Sequence, residues 1–350
     1  MVSSFNPFGR GLISRVHLKP DSLKGIGALK SEPLTAKFSW PNEADLIPSE
    51  VFGKHHISIS SGFLVPGHAT GVVAVINLFD GSVLDLVRPK KGFFYHRILW
   101  HDMNGDGRLD AITARARRPI LGRPEGQLLW LEHPSDPRRE AWIEHPIAQG
   151  PDVNFTAKDL DGDGYPEIIA AQFFARRLSV HWAEGSVWRE RIIDEVPFPL
   201  FDLALADLNG DDALDLVVTN HAGDDRGAIF AYEIPAAFKT APWRRHTLAT
   251  GIRPDIWSFN AAAPGGALVV PVAEQKPSIL LSGDGSGKVY HLHPVSARQD
   301  DWTYHREVIL DTKSTIGQLA LGDIDHDGIK ELFVPAYDHG KIHVLSLAPD

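Results

Sequence analysis

The stretch "HDMNGDGRLDAI", residues 101–112, decides how the rest of this 350-residue chain is interpreted. It places oxygen-bearing side chains at alternate positions and adds a further carboxylate at Asp110. The pattern returns as "DLDGDGYPEII" from Asp159, "DLNGDDALDLV" from Asp207 and "DIDHDGIKELF" from Asp323. The copies begin 57, 48 and 116 residues apart, so the last interval is two periods of about 58 residues. A period of this length is typical of proteins built from repeated structural units.

Each acidic loop joins two short apolar stretches whose pattern predicts β-strands. A third such stretch follows, for example "LSVHWAEG", and a fourth begins at a tryptophan that recurs at one position, at Trp142, Trp188, Trp243 and Trp302. We interpret these tryptophans as core residues. Four strands per repeat, without helical periodicity, predict an all-β fold: a β-propeller with four-stranded blades and the acidic loops on one face.

Two further copies of the repeat retain the predicted strands but lack the acidic residues of the loop. They are "HHISISSGFLVPGHATGVVAVINL" before the first acidic loop and "IWSFNAAAPGGALVVPV" near residue 260. Six units can be counted from about residue 55. The N-terminal segment, residues 1–40, would either supply a seventh unit or complete the ring. We therefore predict seven blades, with six as the alternative, and a single propeller domain over residues 41–350.

The acidic loops have the composition of calcium sites, because hard oxygen ligands and a sharp turn suit Ca²⁺, or Mg²⁺. The predicted ligands are Asp102, Asn104, Asp106, Asp110, Asp159, Asp161, Asp163, Glu167, Asp207, Asn209, Asp211, Asp215, Asp323, Asp325, Asp327 and Glu331. In the third loop Asp212 stands where the other loops have glycine, so its backbone must adopt a left-handed turn at some cost. The alternative is that the loops are hydrogen-bonded turns holding little or no metal. In either case we expect a structural role.

Composition excludes several classes of protein. A formal net charge of −10 argues against nucleic acid as the main partner, and there is no apolar run long enough for a membrane span. Zero cysteines exclude disulfides, thiolate zinc sites and a cysteine nucleophile. The first twenty residues lack the features of a secretory signal, so we expect a cytoplasmic location. Without a dinucleotide or Walker motif, no organic cofactor is expected. The sequence does not indicate an oligomeric state.

The acidic loops resemble the FG-GAP/VCBS repeats of integrin-type propellers over about residues 55–350. The stretches "FYHRILWHDMNGDGRLDAITARA", "LLWLEHP" and "GPDV" resemble two narrower groups: small fungal VCBS-type hetero-Diels-Alderases of tropolone–sesquiterpenoid biosynthesis, and the propeller part of aldos-2-ulose dehydratase. The first resemblance implies dehydration of a tropolone-type alcohol to a quinone methide, which is steered into cycloaddition with a terpene alkene. The second implies a sugar-type dehydratase or isomerase. No catalytic residue is carried over from either group.

Propeller geometry predicts where a small-molecule site would lie. Residues four and two positions before the first aspartate of each loop are mostly apolar and should pack between blades, so the opposite parity faces the central channel. Position minus five is polar in all four clear blades, where it is occupied by Arg97, Asn154, Asp202 and Gln318, and we call these residues the polar column. In the two degenerate units His56 and Asp255 fall nearest to this column. The ends of the second strands, including Glu274 in the degenerate unit near residue 260, share that face. The candidate catalytic residues are Arg97, Arg115, Asp202, His221 and Asp255. The candidate substrate-binding residues are His56, Tyr95, Asn154, Gln172, Phe173, Phe201, Asn220, Trp257, Glu274, Gln318 and Tyr337, with Asp338 beside them.

Plainer roles compete with these assignments. Inner-strand polar residues of propellers often bind only channel water, and Asp202 could pair with Arg97 or Arg115. His96 lies one position off the polar column and is interpreted as a packing residue. His291 and His293 in "YHLHP" share a strand face and could bind metal. Because they fall on a third strand, away from the channel, the sequence favours a solvated pair.

Three functions stay open. The first is a dehydratase that templates a cycloaddition: Arg97 and Arg115 would hold an anionic oxygen, while Asp202, Asp255 or His221 moves the proton and aromatic residues stack on the diene. Its partners would be small molecules, a tropolone-type diene precursor and a terpene alkene. The second is a sugar-type dehydratase or isomerase. The third is a non-catalytic, calcium-stabilised binding module.

Overall fold

A computed structural model describes residues 2–4, 11–18, 31–62, 70–119, 121–256 and 261–347. The chain separates into two compact units: Met1–His17 with Ala28–Ile192, and Leu18–Gly27 with Ile193–Asp350. Within the described residues the only α-helix is α1 (Ser49–Phe52), and no helix there is long and apolar enough to cross a bilayer. Apart from this helix and two 3-10 turns, the regular elements of the described part of the chain are antiparallel β-strands, which confirms the predicted all-β class.

The first unit begins with a small sheet and continues with three blades. The small sheet contains β1 (Val2–Ser4), β2 (Leu12–Val16) and β3 (Ser31–Thr35). The strands that follow are β4 (Pro41–Leu46), β5 (His56–Ser61), β6 (Thr70–Gly71), β7 (Val73–Asn77), β8 (Val83–Asp85) and β9 (Lys90–Lys91). The first blade has the order β4-β5-β7-β8, and β6 pairs separately with β9.

The next two blades each have four consecutive strands. The second contains β10 (Phe94–His101), β11 (Asp110–Arg117), β12 (Glu125–Glu132) and β13 (Ile143–Gln149). The third contains β14 (Asn154–Lys158), β15 (Glu167–Gln172), β16 (Arg177–Glu184) and β17 (Val187–Glu195), whose last residues pass the unit boundary. In both blades an acidic loop joins the first strand to the second, as predicted.

The second unit holds three more blades. The fourth contains β18 (Leu200–Ala206), β19 (Asp215–Asn220), β20 (Gly227–Glu233) and β21 (Arg244–Ile252). The fifth contains β22 (Ala267–Val272), β23 (Gln275–Ser282), β24 (Lys288–Pro294) and β25 (Tyr304–Asp311). The sixth has three strands among its described residues, β26 (Ala320–Gly322), β27 (Glu331–Ala336) and β28 (Lys341–Ser346).

The described sheets therefore give a β-propeller with six blades, the alternative that the sequence left open, and a count of seven is not supported. The first blade begins at Pro41 and not near residue 55, because its first strand is the unremarkable stretch 41–46. Residues 2–4, 12–16 and 31–35 form a sheet of their own.

The blades pack through the residues that the alternation selected. Ile98, Phe155, Leu203 and Leu319 are each at most 6% exposed. One core cluster joins Ile112 and Leu128 of the second blade to Phe155 and Ile168 of the third. Within each unit the first strands of neighbouring blades are in contact, as for β10 with β14 and β18 with β22. Counting alternate positions back from the first aspartate of each acidic loop, which we call the parity rule, therefore identifies core residues correctly.

Three first strands contain a β-bulge that the parity rule does not foresee. The pairing register shifts between Pro41 and Ala44 in β4, between Tyr95 and Ile98 in β10, and between Leu200 and Leu203 in β18. A bulge adds one unpaired residue and locally reverses the alternation of side chains. In β10 it directs Tyr95 into the same core cluster as Ile98.

Candidate functional site

The second and fourth acidic loops bring carboxylates together. Three carboxylate oxygens lie within 4.8 Å of one another in each loop, from Asp159, Asp161 and Glu167 and from Asp323, Asp325 and Glu331. In the fourth loop the Oδ1 atoms of Asp323 and Asp325 are buried without a hydrogen-bond donor. Converging anionic oxygens that lack donors fit a hard cation such as Ca²⁺ or Mg²⁺.

Backbone amides hold the loops in shape. In the first loop the carboxylate of Asp102 accepts hydrogen bonds from the amides of Gly105 and Gly107, each at 2.7 Å. The ninth-position acid accepts the amide of the second residue in all four loops: Met103 to Asp110 at 2.8 Å, Leu160 to Glu167 at 2.8 Å, Leu208 to Asp215 at 2.9 Å and Ile324 to Glu331 at 2.8 Å. The ninth-position acids are therefore structural residues whether or not a metal binds.

The first and third loops have asparagine at the third position, where the other two have aspartate. In the first loop Arg108 Nε donates to Asp106 Oδ2 at 3.0 Å and neutralises part of the charge. In the third loop Asn209 Nδ2 donates to Asp211 Oδ2 at 3.0 Å, and Asp212 adopts the left-handed φ of 64° that its position requires. The second and fourth loops are thus the better candidate metal centres.

The two arginines predicted to hold substrate form ion pairs within the first unit. Arg97 Nε lies 3.2 Å from Glu43 Oε1, and its Nη1 donates to the carbonyl of Phe155 at 3.2 Å. Arg115 is 6% exposed, and its Nη1 donates to Glu144 Oε2 at 2.6 Å.

Other contacts of Arg115 are equally local. Its Nε donates to Gln127 Oε1 at 2.9 Å, and its Nη1 donates to the buried Tyr95 hydroxyl at 3.3 Å. Arg115 and Tyr95 therefore stabilise the second blade through buried hydrogen bonds.

The remaining candidates of the first unit are also packed into the blades. Asn154 is 3% exposed and lies beside His96, whose pKa is lowered to about 3 by burial. Gln172 is fully buried, and its Nε2 donates to Ser179 Oγ at 2.8 Å. Phe173 is partly buried, and its amide donates to Asp152 Oδ1 at 2.7 Å.

The inner-strand position predicted for His56 is wrong. His56 begins β5, the second strand of its blade, and its Nδ1 lies 3.2 Å from the carbonyl of Gly53. The first strand of that blade is β4, which lacks an acidic loop to mark its end.

In the second unit several candidates meet at the end of the blades where the second strands finish. The ring of His221 stacks on Phe201, with centroids 4.9 Å apart and planes inclined by 23°. His221 Nδ1 lies 3.0 Å from the carbonyl oxygen of Pro264. Its Nε2 lies 3.8 Å from Oδ2 of Asp284, a carboxylate that the sequence did not select. We call His221, Phe201, Asp284 and Tyr337 the His221 cluster.

Two members of this cluster, Asp284 and Tyr337, have raised pKa values. Burial raises the pKa of Asp284 to about 6, although His221 opposes the shift. Loss of hydration around the Tyr337 hydroxyl raises its pKa to about 12, and the charge of Asp284 adds to the shift, although 37% of the residue is exposed. The Tyr337 hydroxyl lies against Gly317, where a Cβ atom would come within 2.6 Å of it.

Two members of the predicted polar column lie beside one glycine of the second unit. A Cβ atom on Gly266 would lie 2.3 Å from Gln318 Oε1 and 2.9 Å from Asp202 Oδ2. Asp202 is 3% exposed and accepts the amide of Ala267 at 2.9 Å, while Gln318 is exposed. The absence of a side chain at Gly266 thus lets a carboxylate and an amide group approach each other.

The other candidates of the second unit fall outside the cluster. Asp255 follows β21 in place of an inner strand and pairs with Arg253 at 3.1 Å and with Lys288. Glu274, with φ of 58°, lies in the turn between β22 and β23, at the far end of β23 from Ser282. The positions predicted for both are wrong, because the fifth blade has no acidic loop to mark where its first strand, Ala267–Val272, ends.

Asn220 is 3% exposed and closes the β19–β20 turn through the amide of Ala228, at 2.5 Å from its Oδ1. Asp338 accepts the amide of Thr315 at 2.7 Å. Trp257 lies outside the described residues.

A separate cleft of about 370 Å³ lies between the last strands of the fourth and fifth blades, where His246 stacks on Trp302 at 4.2 Å. None of the predicted site residues lines it. The cleft is therefore separate from the His221 cluster and from every residue that the sequence selected.

Comparisons with known proteins concern the fold. Residues 159–218 match the family profile of the FG-GAP-like repeat. Among solved structures, a putative oxidoreductase (glucose dehydrogenase) from Thermus thermophilus is similar, with a TM-score of 0.46 and 13% identity over 89% of this chain and 97% of that one. No curated protein matches the chain. The chain therefore carries an FG-GAP-like repeat within a six-bladed β-propeller, as the acidic loops indicated.

Proposed function

We propose that the protein is an enzyme that dehydrates an activated alcohol at the His221 cluster. The observation that carries the proposal is the pairing of His221 with Asp284 beside an aromatic ring. A carbonyl oxygen only accepts hydrogen bonds, so His221 Nδ1, 3.0 Å from the Pro264 carbonyl, carries a proton. Nε2 then faces the Asp284 carboxylate at 3.8 Å. Because the pKa of Asp284 is raised to about 6, its carboxyl group carries a proton in part of the molecules close to neutral pH and can transfer it.

The proposed step balances without a cofactor. The His221–Asp284 pair gives a proton to the hydroxyl of a hydroxymethyl group, and the C–O bond breaks with loss of water. The ring hydroxyl of the same substrate then returns a proton to the pair, leaving a neutral quinone methide. Phe201, stacked on His221, offers a flat surface for the conjugated ring.

The finer proposal concerns the substrates. The resemblance of residues 94–116 to fungal hetero-Diels-Alderases supports a tropolone-type alcohol and a terpene alkene. Arg97 and Arg115 lie in ion pairs within the first unit, so we assign the polar contacts with the substrate to the Tyr337 hydroxyl and the Gln318 amide instead. The cycloaddition moves no proton, so it requires that the two reactants be held together and shielded from water.

The test is turnover of a synthetic hydroxymethyl tropolone with a humulene-type alkene, followed by product analysis. Asp284→Asn and His221→Gln should each lower turnover by about 100-fold or more, the range for loss of a general acid–base group. Glu140→Gln, which makes the same change at an exposed carboxylate, is the control. Full activity in both cluster variants would refute the site.

The acidic loops support a second candidate function, a calcium-stabilised binding module, because their carboxylate clusters would suit bound Ca²⁺. A thermal-shift screen separates the possibilities, because a ligand stabilises the folded state that binds it. Stabilisation by tropolones or terpenes supports the proposed enzyme, and stabilisation by sugars supports a sugar-type dehydratase. If only Ca²⁺ raises the melting temperature, the binding module is the better account.

A further inference from the structure

The fifth blade carries a group of imidazoles that takes no part in the proposed reaction. Strand β24 contains the sequence "YHLHP", residues 290–294, which puts His291 and His293 on the same face. The residues between and before them, Leu292 and Tyr290, are buried in the core cluster shared with the fourth blade. The two histidines therefore lie on the opposite face of the sheet from that core.

The pairing of β24 with β25 adds two further ligand groups to this face. His291 is directly opposite Glu307, and His293 is directly opposite His305. His291 Nδ1 lies 3.2 Å from Glu307 Oε1, and the rings of His293 and His305 are 5.0 Å apart. The sequence could not reveal this arrangement, because the register between the two strands is fixed by the turn that joins them.

We propose that His291, His293 and Glu307, with His305 beside them, form a binding site for a divalent transition-metal ion of the Zn²⁺ and Cu²⁺ type. One ligand atom from each of the first three residues lies within 4.8 Å of the other two, so small side-chain rotations bring them to a common ion. Imidazole nitrogens with one carboxylate oxygen form a donor set that Zn²⁺ and Cu²⁺ bind and that Ca²⁺ does not favour.

Partial exposure of the ligand side chains and the direction of the neighbouring Arg306 both favour binding of a cation at this site. The His291 side chain is 31% exposed and that of Glu307 is 47% exposed, so an ion can enter and both groups keep freedom to turn. Arg306, the cation next to them in sequence, is on the other face: it lies over the Tyr290 ring and donates to the Thr250 carbonyl at 2.7 Å. Its charge therefore points away from the imidazoles. A bound ion would join β24 to β25 and stabilise the folded blade.

The experiment is a Cu²⁺ and Zn²⁺ titration of the full chain, without an affinity tag and with Ca²⁺ present to occupy the acidic loops. We expect one tight equivalent per chain and, for Cu²⁺, an electron paramagnetic resonance spectrum showing nitrogen ligands. His293→Gln should weaken binding by at least about tenfold, since even loss of a ligand's hydrogen-bond partner costs about 10–100-fold.

The matched control is His17→Gln, because His17 also pairs with a glutamate, Glu32, at 3.1 Å. It should bind the metal as tightly as the unsubstituted chain. Equal affinities for His293→Gln and His17→Gln, or no binding by the unsubstituted chain, would overturn the proposal. Urea denaturation of both variants without metal confirms that they fold. The result is independent of turnover at the His221 cluster.

Discussion

Arg97 and Glu43 form an ion pair at 3.2 Å between the first strands of two successive blades. Both residues lie at β-bulges, Glu43 in β4 and Arg97 in β10. Nη1 of Arg97 also donates to the Phe155 carbonyl in β14. One side chain therefore connects the first strands of three blades. With 15% and 24% of their side chains exposed, the two charges are shielded from most of the solvent.

The first prediction concerns the stability of this connection. Arg97→Ala leaves the Glu43 carboxylate partly buried without its partner, so the free energy of unfolding should fall by about 2 kcal/mol or more in urea. Arg117→Ala removes an exposed ion pair with Glu125 and should change stability very little. Equal effects of the two substitutions would contradict the bracing role of Arg97.

The second prediction follows from the raised pKa of Asp284. A carboxylate with a folded-state pKa of about 6 and an ordinary value of 3.8 binds more protons in the folded protein between those pH values, so stability falls as pH rises through that window. Asp284→Asn removes this dependence. It should raise the free energy of unfolding at pH 7 by about 1–3 kcal/mol while lowering turnover.

The measurement is urea denaturation at several pH values between about 4 and 8. The two proteins should differ least near the acid end of that range and most above the folded-state pKa of Asp284. A pH-independent difference would show that the Asp284 carboxylate is not destabilised by its surroundings.

The third prediction concerns the acidic loops. Asp161→Asn and Asp325→Asn each remove one of three clustered carboxylates, so each should lower the rise in melting temperature caused by Ca²⁺ by about half. Asn104→Asp adds a carboxylate at the matching position of the first loop and should increase that rise. Calorimetric scans with Ca²⁺ and with a chelator check both outcomes, and a Ca²⁺ response unaltered by any of the three would refute the assignment.

The fourth prediction concerns the space at Gly266. In Gly266→Ala the new methyl group would crowd Gln318 Oε1 and Asp202 Oδ2. Because Gln318 is exposed and can move, the chain should stay folded but lose affinity for the proposed substrate, since the Gln318 amide assigned to bind it is displaced. Thermal shift with the tropolone substrate measures the loss. The control is Gly322→Ala, whose new methyl group would meet only Ile324 at an ordinary contact distance of 3.6 Å. Unchanged ligand affinity in Gly266→Ala would place the ligand elsewhere.

The fold was predictable because its signal repeats. Four acidic loops with the same spacing fixed the turn between first and second strands, and the parity counted from each loop placed Ile98 and Phe155 in the core. The prediction failed where the repeat had degenerated. In the fifth repeat no acidic loop marks the turn, so the sequence pattern points to Glu274, which precedes β23, and misses Asp284, which follows the end of that strand.

The candidate site was only partly predictable, for two physical reasons. A bulge reverses side-chain parity without leaving a signal in composition, which is why Tyr95 was expected near substrate and lies in the core. In addition, the pairing of Arg115 with Glu144 depends on tertiary contacts that strand patterns do not encode. His221 and Tyr337 are identifiable because they immediately follow the second strands of repeats that keep their acidic loops. Phe201 lies near the start of the first strand of one of these repeats.

The bulges also bear on how such a protein changes over evolutionary time. Because each extra residue in β4, β10 and β18 is absorbed at one point, the remainder of the strand keeps its pairing register. Residues upstream of that point, such as Tyr95 and Leu200, are fully buried, so an insertion there keeps the pairing register of the rest of the strand but an exchange of these residues alters the core. A lineage with this scaffold can therefore vary the length of its strand ends before the bulge, while selection for folding still acts on the buried residues on both sides of it.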